Sequence, residues 1–152
     1  MAAAFADHTG SWGGSNQFRL MPTDPLHEAP ATADVTIAAA GTLVSIAYTW
    51  SHPQDGDQDG LLVVGADDAG ELTALWGDSW HQLPPMTLTG STDEGRLVVG
   101  YEYAGGWHWR IIVDATVPGA LGLRMENAPP PSEDPEGTGA YAAMAAAFGR
   151  PG

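Results

Sequence analysis

Turn signals recur roughly every 8–12 residues along this chain, and that spacing belongs to all-β sandwiches and barrels rather than to helical folds. The signals are residues 54–60 (Gln-Asp-Gly-Asp-Gln-Asp-Gly), Asp67-Asp68-Ala69-Gly70, Ala104-Gly105-Gly106 and Pro118-Gly119. Each favours a backbone that a helix cannot hold. With 20 glycines and 12 prolines among 152 residues, no stretch is left for a long helix.

Between these signals the apolar residues alternate. Residues 42–50 are the clearest case. Val44, Ile46, Tyr48 and Trp50 share one face, and Leu43, Ser45, Ala47 and Thr49 the other. Residues 107–116 split the same way, with Trp107, Trp109, Ile111 and Val113 on an apolar face and His108, Arg110, Ile112 and Asp114 on a polar one. Strands are also predicted over residues 11–20, 71–76, 86–90, 96–103 and 121–127. The unbroken apolar run 61–66 predicts a strand buried on both sides. Residues 21–30, with three prolines, read as a loop or a sheet edge, and residues 33–40 fit either a strand or one short helix. Residues 140–150 carry Tyr141, Met144 and Phe148 at helical spacing. A strand is nevertheless expected there, because the edge of the first strand must be covered.

The expected architecture is therefore one all-β domain over residues 1–152, an antiparallel up-and-down barrel of about nine or ten strands. Residues 1–8 are expected to form a tail, and the proline-rich acidic residues 128–139 a loop without core residues. A β-sandwich is the alternative. It would need longer crossovers, and only residues 21–34 and 128–139 offer them.

The formal net charge is −14, and all five basic residues are arginines. An acidic, lysine-free surface repels phosphate backbones and anionic lipids, so nucleic-acid and membrane-surface roles are not expected. No cysteine is present, which excludes disulfides and thiolate chemistry. Neither a signal peptide nor a long apolar run is visible, so a cytoplasmic protein, monomeric or homodimeric, is expected.

The opening Thr9-Gly10-Ser11-Trp12-Gly13-Gly14 resembles the Gly-x-Trp start of the calycin barrels, the group holding lipocalins and fatty-acid-binding proteins. In that group the first-strand Trp packs at the closed end beside an Arg near the chain's end, which implies Trp12 and Arg150 here. Trp76-Gly77-Asp78-Ser79-Trp80-His81, Met86, Gly90, Gly100-Tyr101, Trp109-Arg110-Ile111 and Met125-Glu126-Asn127 resemble, more narrowly, a lipocalin-like family of bacterial proteins of unknown function. The resemblance implies the fold rather than an activity. Nitrobindin-type barrels of the same group hold haem through a single His, which matches no particular residue of this chain; His81 and His108 are the candidates. No cofactor is otherwise expected.

Residues 76–81 form the densest polar-aromatic cluster. In a continuous strand, Trp76, Asp78 and Trp80 would share a face, and a carboxylate between two indoles would have a raised pKa suited to acid–base work with His81. The competing reading makes Gly77-Asp78-Ser79 a solvated turn and places His81 at a strand end or the barrel mouth. The resemblance to fatty-acid-binding barrels also implies an internal arginine gripping a ligand carboxylate, for which Arg110 and Arg124 are the candidates; otherwise each would pair with Glu102, Asp114 or Glu126. Tyr48, Trp50, Trp76, Trp80 and Tyr101, with Tyr103, are candidate pocket walls as well as core filler. No histidine pair has zinc spacing, and the run Asp55, Asp57, Asp59 lacks the later ligands of a calcium loop. No hydrolase elbow, phosphate loop or dinucleotide fingerprint occurs. The expectation is a barrel that binds a small apolar or amphipathic ligand, with an Asp78/His81 enzyme or a haem barrel as alternatives.

Overall fold

The computed structural model describes residues 2–134, 137 and 139–152. Ten strands follow in order: β1 (Gly10–Phe18), β2 (His27–Ala38), β3 (Leu43–His52), β4 (Gly56–Ala66), β5 (Leu72–Asp78), β6 (Gln82–Asp93), β7 (Arg96–Tyr103), β8 (Trp107–Asp114), β9 (Ala120–Ala128) and β10 (Tyr141–Gly149). Each pairs antiparallel with its sequence neighbour. β10 then pairs with β1, from Gly13↔Gly149 to Phe18↔Met144, and closes the barrel. Closure removes both sheet edges, which is why the alanine-rich last segment is a strand despite its helical spacing. The sandwich alternative is thereby excluded.

Period-2 alternation decides what lies inside. Val44, Ile46, Tyr48 and Trp50 are all buried, as are Trp109, Ile111 and Val113. Each buried Val, Leu or Ile contributes roughly 1.5–3 kcal/mol through removal of apolar area from water. The run 61–66 is buried on one side only: Leu62 is 0% exposed and Leu61 47%. A single-layered barrel has nothing packed on its outer face, so a continuous apolar run there cannot be buried twice. β2 starts at His27, inside the expected loop, and β4 starts at Gly56, inside the expected turn. Between β6 and β7, Glu94 (φ 48°) and Gly95 (φ 84°) supply the two left-handed residues of a two-residue hairpin turn.

Residues 2–8 are not a loose tail. A short helix (Ala2–Phe5) and a 3-10 turn (Ala6–His8) bury Phe5 and His8 against one end of the barrel. The His8 ring stacks on Trp12 at 5.5 Å, and its Nε2 lies 3.1 Å from the Ala120 carbonyl. The Trp12 indole donates to the His8 carbonyl at 2.8 Å. Arg150 lies over the Trp12 ring at 4.3 Å and donates to the carbonyls of Thr9 and Asp7, each at 2.7 Å. This end is closed as the resemblance implied. In the expected loop 128–139, Pro130 is buried and Pro131–Glu133 makes a 3-10 turn; residues 135, 136 and 138 lie outside the described residues. No helix is long and apolar enough to cross a membrane among the described residues.

Candidate functional site

At the opposite end, the ends of β1, β3, β5 and β7 and the starts of β6 and β8 bring a polar network into the barrel. Its centre is Asp78, the last residue of β5, only 1% exposed. Tyr48 donates to Asp78 Oδ2 at 2.7 Å and the Trp50 indole at 3.1 Å. Oδ1 accepts the backbone N–H groups of Trp80 (3.0 Å) and His81 (2.9 Å), and faces His81 Nδ1 at 3.2 Å. The Trp76 indole donates to the Tyr48 hydroxyl at 2.9 Å.

Cross-strand pairing explains why these groups meet. Tyr48 on β3 pairs with Gly60 on β4, which pairs with Asp78 on β5. A Cβ on Gly60 would sit 2.1 Å from the Tyr48 hydroxyl oxygen, so the phenol crosses the space that a side chain would fill. Beyond Asp78 the chain turns, and that turn directs two backbone donors at the carboxylate, as Asx turns do.

Burial pushes the Asp78 carboxyl up. The hydrogen bond and charge offered by His81, with its backbone N–H and the Tyr48 hydroxyl, outweigh burial and hold the carboxyl below its usual range. This reverses the raised pKa expected from the sequence. Asp78 is a fixed anion rather than a proton donor, and it is neither a solvated turn residue nor flanked by Trp80 on one strand face. Burial, then the charge of Asp78, raise the Tyr48 phenol well above its ordinary value.

The His81 imidazole is enclosed by aromatic rings. Trp50 lies 4.8 Å away by ring centroid, Trp80 5.0 Å, Trp109 5.2 Å and Phe18 5.8 Å. Trp80 is itself pinned from outside, stacked on His52 at 4.6 Å and donating to Asp55 at 2.8 Å. A cavity of about 410 Å³ opens beside this group, lined by Leu20, Trp76, Trp80, His81, Gln82, Met86, Tyr101, Tyr103, Ala104 and Trp109. Two buried polar atoms of that lining have no partner: His81 Nε2 and the Trp109 indole nitrogen. The Asn16 amide, deeper on the inward face of β1, is also buried without partners.

The structure thus gathers Tyr48, Trp50, Trp76, Asp78, Trp80, His81 and Tyr101 at one end of the barrel. It does not bring Arg110 or Arg124 there. Both lie on the outer face, where their guanidinium groups hold Glu126 between them, Arg124 Nε at 2.6 Å and Arg110 Nε at 2.9 Å. Burial raises the Glu126 carboxyl, but these two partners outweigh it and hold it low. His108 is outside as well, 3.4 Å from Glu102. The apolar side of β8 faces inward, so its polar side cannot. Gly60, Gln82, Met86 and the role of Trp109 were missed by sequence reasoning. A glycine beside the Leu61-Leu62-Val63-Val64 run was the one available signal, since glycine inside a strand marks a close approach.

Haem fits this site poorly. His81 is the interior candidate, but four rings already occupy the space around its imidazole that a macrocycle would need. Among the described residues, no three His, Asp or Glu side chains come together as a metal site requires.

No family model matches the sequence, and no curated protein matches it either. Solved structures do match. The S-type phycobiliprotein lyase CPES from Guillardia theta aligns over 100% of this chain and 94% of its own, with a TM-score of 0.63 and 14% identity. Rv2717c from M. tuberculosis aligns over 100% of this chain and 99% of its own, with a TM-score of 0.60 and 11% identity. At these identities the likeness is one of fold, and the fold it shows is a closed up-and-down barrel like that of the lipocalins and fatty-acid-binding proteins.

Proposed function

We propose that this barrel binds a small apolar or amphipathic molecule in the cavity at its open end, with the ligand's polar end on His81 and Trp109. One observation carries the reading: two buried polar atoms, on side chains that line an aromatic-walled cavity, have no partner within the protein. Buried polar groups are almost always paired, and an unpaired one costs about 1–3 kcal/mol. A ligand that supplies partners recovers that energy while burying its own apolar surface. The cavity volume lies at the lower end of the range typical of small-molecule sites. A carboxylate gripped by Arg110 is not part of this reading, because that side chain is outside and paired with Glu126.

The test uses the protein as purified. A native mass spectrum is compared with the denatured mass, and the stripped protein is titrated with the neutral fluorophore aminoanthracene. Saturable one-to-one uptake is expected, and the substitution Met86→Trp, which fills the cavity, should abolish it. Failure of the stripped protein to take up the fluorophore, or equal uptake by Met86→Trp, would rule the reading out.

A second reading is favoured by the arrangement of Asp78 and His81. A carboxylate on Nδ1 with Nε2 unpaired is the geometry of a general base. Asp78→Asn separates the two readings, since a binder keeps its ligand whereas a base oriented by Asp78 loses turnover.

A further inference from the structure

We propose that a ligand reaches this cavity sideways, through a seam in the barrel wall between β6 and β7, and that Tyr101 is the gate on that path, latched by Gln82. This deepens the binding reading above and rests on it.

Strand pairing leaves the seam. Among the described residues, β6 and β7 pair only from Asp93↔Arg96 to Thr89↔Gly100. Beyond that point β6 runs on beside β5, as far as Asp78↔Gln82, and β7 beside β8, as far as Tyr103↔Trp107. The parted edge of β6 carries Pro84 and Pro85, which have no N–H to offer, and Leu83, 71% exposed. Prolines on an edge discourage pairing with another strand, so this edge is built to stay open.

Two hollows meet at the seam. The inner cavity takes Gln82 and Met86 from β6, and Tyr101 and Tyr103 from β7. A recess of about 430 Å³ on the outer face takes Thr89 and Ser91 from β6, and Glu102, His108 and Arg110 from across the seam. Tyr101 and Trp109 line both, and so form the partition between them. Trp109 is 8% exposed and stacked on Trp76 at 5.7 Å. Tyr101 is only half-buried, and its hydroxyl reaches across the seam to donate to Gln82 Oε1 at 2.7 Å. Half-buried rings change rotamer far faster than strands separate, so the tyrosine is the part that can swing.

The other ways in are tied. Over the end of the barrel, Trp80 is stacked on His52 and bonded to Asp55, and the Leu20 carbonyl accepts from the Tyr141 hydroxyl at 3.0 Å. β2 and β3 also part beyond Ala33↔Tyr48. There the Thr32 backbone N–H donates to the Thr49 hydroxyl at 3.0 Å, and Phe18 and Trp50 pack 5.0 Å apart behind it. The inner cavity has no lining residue from β2 or β3.

The test is the rate of aminoanthracene uptake by the stripped protein, followed by stopped-flow fluorescence. The chain has no cysteine, so introduced pairs react alone. Thr87→Cys with Glu102→Cys places two exposed thiols on opposite sides of the seam, to be joined by a bifunctional methanethiosulfonate. Cross-linking should slow uptake at least about tenfold, and reduction of the same sample should restore it. Thr32→Cys with Thr49→Cys, joined across the other seam, should leave the rate unchanged. Tyr101→Phe keeps the ring and removes the latch. Its association and dissociation rates should rise together, by about two- to tenfold, the factor one hydrogen bond is worth.

Uptake at the parent rate through a cross-linked β6–β7 seam would overturn the side path while leaving the cavity a binding site. Equal slowing by both cross-links would overturn it in favour of a general opening of the barrel end. Unchanged rates in Tyr101→Phe would overturn the latch. Absence of uptake by the untreated parent is the failure of the binding reading itself, and the path falls with it.

Discussion

At the scale of single residues, Asp78 shows how a charge is kept inside a barrel without a cationic side chain of fixed charge. Five donors converge on its two oxygens: Tyr48, Trp50, two backbone N–H groups and the His81 ring. Hydrogen bonds to a charged acceptor contribute about 1.5–3 kcal/mol each against their loss. The pKa direction sets how this contribution varies with pH. The folded-state carboxyl lies below its ordinary value of 3.8, so its stabilisation is full above that value. It is lost as pH falls through the lower folded-state value. In Asp78→Asn an amide NH₂ would face donors, and the variant should be about 2–4 kcal/mol less stable at pH 7. Denaturant unfolding at pH 7 and at pH 3 should show the gap between the proteins narrowing in acid. A gap that stays constant would mean Asp78 is not the ionised centre described. In the sequence, Gly77-Asp78-Ser79 suggests a turn, and a turn does follow Asp78. What the local pattern could not reveal is that the turn's backbone donors point into the barrel.

At the scale of elements, face parity was legible and its consequence was harder to read. The alternation on β3 and β8 identifies two faces of each strand, and the apolar face went inside in both. A resemblance to barrels with polar interiors made Arg110 an interior candidate. The buried Trp109, Ile111 and Val113 exclude that, because one strand cannot turn both faces inward. The ladder Tyr48–Gly60–Asp78 was invisible, since it depends on the register between three strands rather than on any one of them. That ladder makes a sharp prediction. Gly60→Ala puts a methyl where the Tyr48 hydroxyl sits, 2.1 Å away, and the ring must leave. Overpacking of this kind costs about 1–3 kcal/mol. Gly60→Ala should also lower the Tyr48 pKa as the phenol moves away from Asp78, which an absorbance titration of the phenolates would register. Unchanged stability together with an unchanged titration would show that the ladder is not needed to place Tyr48.

At the scale of the whole molecule, barrel closure was legible because nearly every connection is a short hairpin between sequence neighbours. The plug of residues 2–8 was not, because its Ala-rich start has no periodicity to read. Whether the barrel is solid or hollow depends on how side chains of different volume meet, which strand patterns do not encode. The charge is legible at once and has a consequence for the assembled barrel. A net charge of −14 spread over 7866 Å² puts neighbouring net charges about 24 Å apart on average. At about 10 mM salt the screening length is about 30 Å and exceeds that spacing, so the compact state repels itself. At about 150 mM it falls to about 8 Å, and the repulsion is largely gone. The unfolded chain spreads the same charges further apart and gains less from salt. The melting temperature should therefore rise by roughly 3–5 °C between those sodium chloride concentrations and change little beyond them. A melting temperature that stays flat or falls over that range would mean surface repulsion is not limiting. Asp78 lies away from solvent, where added ions do not screen it, so Asp78→Asn should show the same salt increment as the parent protein. Acid and salt would thereby separate the interior charge from the surface charge in one pair of proteins.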